Sequence, residues 1–188
     1  GFLNFILGDS DAALKLRSEL IFKVIPMLNP DGVVNGNYRC SLAGVDLNRK
    51  YDFPDSKKHP TIFELKNTLR RLSAERTIVM CADLHGHSIK KNVFMYGCEN
   101  VNMPSLKYQE RVFPYMLWDS ARNYFSYKDC NFKVQKKKES TARVMYWKEF
   151  GILNSFTMEA SFAGCNFGTY DELHMGWKDF EGMGHIFG

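Results

Sequence analysis

The chain has 188 residues, of which 45% are apolar, 24% charged and 14% aromatic, and a chain of that size buries about 70% of its unfolded surface in one domain. Its net charge of +4 is mild, with its densest cluster at Lys136-Lys137-Lys138, which argues against a nucleic-acid binder. No apolar run approaches the ~18 residues of a membrane span, and no signal pattern opens the chain, so no membrane partner is expected.

In chain order, Gly1 to Leu7 fits the end of a helix that begins upstream, and Asp9 or Ser10 can cap a second helix over Asp11 to Leu20. Ile21 to Leu28 predicts a buried strand, stopped by the turn signal Asn29-Pro30-Asp31-Gly32. A second turn-rich stretch follows: Asn35-Gly36-Asn37 precedes Tyr38-Arg39-Cys40, and Gly44 to Arg49, with Asp46, Asn48 and Arg49, carries polar groups packed closer than a loop needs. His59-Pro60 starts a helix in the favoured Pro-first manner, with Ile62, Leu65, Leu69 and Leu72 as its apolar stripe.

Thr77 to Leu84 reads as a buried strand that delivers Asp83, Leu84 and His85 to its carboxyl end. Gly86 is expected to turn the backbone there, so that His85 points along the strand axis and His87 leaves the sheet. The His-Gly-His run is equally compatible with a surface loop carrying two solvated imidazoles. Val93 to Tyr96 predicts a short strand, and Pro104 to Phe125 a long helical segment with a break at Pro114. Lys133 to Ser140 reads as a loop, Thr141 to Phe150 as a helix closed by Gly151, and Asn154 to Ala160 as a strand bearing Glu159 near its end. Tyr170 to Phe180 fits a closing helix. There is no repeat or linker, and the alternation of helices and strands gives an α/β plan with Asn29, His85 and Glu159 at one rim.

Five scattered cysteines, Cys40, Cys81, Cys98, Cys130 and Cys165, lack any CxxC spacing. Free thiols in a reducing compartment are expected, and cytoplasm is the default location. Singly, each rim residue has a plain explanation: Arg39 and Arg49 as surface cations, Asn48 as a turn former, Glu159 as a buried acid paired with either arginine.

Together they resemble the zinc carboxypeptidases, and within them the cytosolic branch that trims glutamates from tubulin tails. The resemblance is carried by Ile25–Gly32, Gly36–Gly44, Asp46–Arg49, Asp83–Asn92, Phe94–Cys98 and Asn154–Phe162, in the family's order over about Gly1 to Tyr170. It implies a mixed, mostly parallel sheet flanked by helices, and a zinc ion bound by His85, with Asp83 or a backbone carbonyl steadying it. Glu159 is implied as general base and Arg39 as the donor to the oxyanion. Asn48 and Arg49 would clamp the substrate's C-terminal carboxylate. Arg143, sixteen residues before Glu159, would floor the specificity pocket and favour a terminal glutamate, with Lys136 to Lys138 attracting an acidic tail. From the sequence alone, Arg143 could equally face solvent on its helix.

Two departures from the family pattern stand out. No His-x-x-Glu pair, the source of the family's first two zinc ligands, occurs in these residues. The expectation is therefore that residues 1–188 form a partial catalytic domain, with the upstream strand and ligand pair missing, active only in the parent protein. Val45 stands before Asp46 where the branch often has arginine. Two other readings compete with the peptidase: a non-catalytic module that binds acidic C-terminal tails, and a different metal hydrolase using His85 and His87 together.

Overall fold

The computed structural model describes residues 1–188. Its helices are α1 (Phe2–Ile6), α2 (Asp11–Glu19), α3 (Pro30–Asn35), α4 (Pro60–Glu75), α5 (Val112–Ser120), α6 (Ala142–Phe150) and α7 (Trp177–Phe187). Three strands, β1 (Met80–His87), β2 (Val93–Tyr96) and β3 (Asn154–Ser161), form one mixed sheet in the order β1-β3-β2. β3 is central, parallel to β1 and antiparallel to β2.

Local chemistry explains most boundaries. The Ser10 hydroxyl accepts the Ala13 amide and starts α2. Pro60 opens α4 with its fixed φ and no amide to leave unpaired. α6 stops because Gly151 takes a left-handed conformation, φ 65°, that a Cβ would oppose.

Alternation along the strands divides the core in two. Val93, Met95, Phe156 and Met158 face a cluster completed by Leu117, Phe125 and Met183. On the other side, α4 and α6 bring Ile62, Leu69, Met145 and Tyr146 together with Leu47, Tyr51 and Ile152, against partly buried Cys81. The second cluster seats the loop carrying Asn48 and Arg49 directly on α6.

Several expectations need correction. Ile21 to Leu28 forms no strand, and Ile21, Val24, Ile25 and Met27 stay exposed. An apolar run becomes a strand only if another strand accepts its hydrogen bonds, and β1, at the sheet's edge, pairs with β3 alone. β1 starts and ends three residues later than expected, because β3 pairs with it all the way through Gly86 to His87. Pro104 to Phe125 is two 3-10 turns and then α5, with Pro114 in the helix's first turn, where proline is tolerated. The closing helix lies at Trp177–Phe187, and the amide of its N-cap residue Gly176 donates to the Asp179 carboxylate at 2.7 Å.

Candidate active site

Because β1 continues through Gly86, Asp83, His85 and His87 leave it on one face. The parallel register sets Asp83 beside Thr157, His85 beside Glu159 and His87 beside Ser161. Neighbouring strands lie about 4.8 Å apart, so the imidazole of His85 and the carboxyl of Glu159 rise side by side. On the other flank of β3, Phe94 lies opposite Glu159, and Tyr96 lies opposite Thr157. The sheet thus presents one polar face with an aromatic border.

Glu159 is only 9% exposed, and burial raises its pKa above the ordinary carboxyl value, helped by the negative charge of Asp83. His85, His87 and Lys138 pull the other way without cancelling it. Burial would by itself lower the pKa of His85. The hydrogen bond and charge of Asp83, reinforced by Glu159, more than offset this and leave it raised. Asp83 Oδ2 meets His85 Nε2 at 2.8 Å, so Nδ1 is the nitrogen left without a protein partner. His87 differs, since its Nδ1 accepts the amides of Ile89 and Lys90 at 3.2 and 3.0 Å. These bonds close the turn after β1 and leave its Nε2 without a protein partner.

Arg39 stands in a loop closed by a bridge between Cys40 and Asp46. Its Nε donates to Asp46 Oδ2 at 2.9 Å, leaving both terminal nitrogens without a protein acceptor. That hydrogen bond raises its pKa, and the charge of Glu159 contributes, which ties Arg39 electrostatically to the sheet face. Asn48 does more than form a turn: its Oδ1 accepts the amide of Ala142, 94 residues away, at 3.0 Å and caps α6, while Nδ2 stays free. Arg49 Nη1 donates to Asn48 O at 2.7 Å. With Tyr51 N donating to Ser140 O at 3.1 Å, the 46–51 loop is fastened to the segment carrying Lys138. Burial lowers the pKa of Lys138, as do the neighbouring charges of Arg49 and Arg39.

Arg143 does not face solvent. It is 6% exposed, and its Nη1 donates to Gly97 O and to Cys98 Sγ, the latter at 3.2 Å. Its Cζ lies 6.0 Å from the centre of the Tyr96 ring. The structure thus places His85, Glu159, Tyr96 and the guanidinium of Arg143 along one side of the sheet, with Arg39, Asn48, Arg49 and Lys138 on loops beside it. Sequence reasoning missed Tyr96, the Asp46 partner of Arg39 and the cap made by Asn48. Alternation in VFMY is the one signal that could have found Tyr96, once its register with Glu159 is known.

His85 fits a metal ligand, because a ring nitrogen held by a carboxylate fixes the tautomer and aims the other nitrogen outward. The residues as a set do not fit a complete zinc site, since no group of three His, Cys, Asp or Glu side chains is placed to hold a metal.

The zinc carboxypeptidase family model matches residues 1–167. The chain is 50% identical over 190 residues to mouse cytosolic carboxypeptidase 3, covering all of this chain and 19% of that protein. It is 50% identical over 187 residues to human cytosolic carboxypeptidase 2, covering 98% and 20%. It therefore spans about a fifth of the length of these relatives. The fold is that of a metallo-carboxypeptidase crystal structure from Burkholderia cenocepacia, with a TM-score of 0.78 at 24% identity, covering 99% of this chain and 49% of that one.

Proposed function

Since the chain belongs to the zinc carboxypeptidase family, we propose that its protein is a cytoplasmic, zinc-dependent carboxypeptidase that removes C-terminal residues, glutamates above all, from acidic protein tails such as those of tubulin. One observation carries the reading: His85 and Glu159 share a rung of the β1–β3 pair and face the same way, and the charge of Glu159 is felt at both His85 and Arg39.

In this reading His85 Nδ1 would be one donor to the zinc. Zinc, when bound, would supply an acidified water. Glu159 accepts a proton and delivers it to the departing amine, and a carboxylate with a raised pKa returns that proton more readily. The terminal nitrogens of Arg39, aimed by Asp46, donate to the scissile carbonyl oxygen as charge develops on it. Arg49 and the free Nδ2 of Asn48 hold the C-terminal carboxylate, which restricts the enzyme to chain ends. Arg143, buried and without a salt bridge, receives an acidic side chain of the last residue.

The competing reading, a module that binds acidic tails without cutting them, draws on the single zinc donor. Glu159→Gln in the natural protein separates the two. A peptidase loses at least a hundredfold in kcat while still binding peptide, whereas a binding module shows no turnover to lose. Unchanged hydrolysis in the variant refutes the role given to Glu159.

A further inference from the structure

Arg143 is a charged group almost wholly inside the protein, yet of its three guanidinium nitrogens only Nη1 finds a protein acceptor, and no carboxylate pairs with it. A buried cation left in that condition calls for an anion. Tyr96 borders the same space. Its ring centre is 6.0 Å from Arg143 Cζ and 5.5 Å from Lys90 Nζ, and Phe94 meets it nearly edge-on at 5.4 Å, so the ring is held between two cations and an aromatic neighbour. Tyr96 is half-buried, and its hydroxyl makes no hydrogen bond to the protein. Burial and the charge of Glu159 raise its pKa, so it remains a proton donor at neutral pH. Two kinds of donor without acceptors match a ligand group that only accepts, which is the chemistry of a carboxylate.

We propose that Tyr96 is a specificity-determining residue: its hydroxyl and the free nitrogens of Arg143 together receive the side-chain carboxylate of the substrate's last residue. The hydroxyl adds direction to what the guanidinium supplies as charge, and the flanking cations keep the ring from rotating away. The inference deepens the role proposed for Arg143 and rests on it.

The test is kinetic, on the natural protein and its Tyr96→Phe variant, with matched peptides ending in Glu and in Phe. The variant removes one oxygen and keeps the ring, and its thermal midpoint is expected to stay within about 2 °C of the parent's, as befits a hydroxyl with no protein partner. A hydrogen bond to a charged group corresponds to about tenfold or more in affinity. The expected result is a preference for Glu in the parent that falls about tenfold in Tyr96→Phe, through KM, with the Phe-ending peptide unaffected. A variant that keeps the parent's preference overturns the assignment of Tyr96 while leaving Arg143 in place. An equal loss of kcat on both peptides also overturns it, since the hydroxyl would then act at the reacting bond. If the parent itself shows no preference for Glu, the acidic reading of Arg143 falls, and the inference falls with it.

Discussion

Asn48 is asked to do two things at once, and two substitutions pull them apart. Its Oδ1 caps α6 by accepting the amide of Ala142 at 3.0 Å, and its Nδ2 is the proposed donor to the substrate's C-terminal carboxylate. Asn48→Ala removes both. Losing a cap of this kind costs about 1 kcal/mol, roughly a fivefold change in the folding equilibrium. Asn48→Asp keeps the acceptor and adds a negative charge at a helix N-terminus, which is favourable by about 0.5 kcal/mol. It also deletes the donor and sets a carboxylate against the substrate's own. A hydrogen bond to a charged group contributes about 2 kcal/mol, so kcat/KM should drop at least tenfold despite normal stability. Urea unfolding monitored by far-UV circular dichroism, alongside peptide hydrolysis, reads the two effects separately. If Asn48→Asp is as unstable as Asn48→Ala, the carbonyl does not cap α6. If it hydrolyses peptide at the parent rate, the carboxylate clamp is wrong.

Other predictions follow from single contacts. The pKa of His85 is raised by Asp83, so the stability it contributes to metal-free protein is full below the ordinary histidine value of about 6.5 and is lost as pH rises through the folded value. Asp83→Asn should lower the imidazole pKa in an NMR titration and flatten that decline, and an unmoved pKa would refute the assignment. Lys66 is buried, with its Nζ 2.7 Å from Glu149 and donating to Tyr51 O at 3.0 Å and Asp52 O at 2.7 Å. Lys66→Met should cost about 2 kcal/mol at pH 7, because two carbonyls lose their donor and Glu149 keeps only Arg70 as a partner. Glu149 has a lowered pKa, so its contribution is present above the ordinary carboxyl value and disappears as pH falls through the folded value. The penalty of Lys66→Met should therefore shrink in acid, and denaturant titrations that give the same penalty at pH 7 and below the folded pKa of Glu149, located by NMR titration, would contradict it.

Elements with a local signal were legible in the sequence. α4 carried Pro60 and an unbroken apolar stripe, and α6 ended at a glycine that adopts the left-handed conformation. Ile21 to Leu28 carried an equally strong apolar signal and formed nothing, because strand formation is decided by a neighbour and not by the segment. For the same reason Gly86, expected to be a turn, lies inside a strand. His85 and Glu159 could be placed at one rim from sequence, but their shared rung could not, since register is a property of two segments 74 residues apart. The bond from Asn48 to α6 and the burial of Arg143 under Gly97 are likewise long-range and leave no periodic trace.

The shared rung makes the meeting of acid and imidazole a matter of parity. Side chains on a strand alternate, so a slip of one residue between β1 and β3 would send Glu159 through the sheet to the opposite face instead of displacing it slightly. A single residue gained or lost within either strand upstream of the pair abolishes the encounter outright. The arrangement has no half-assembled form.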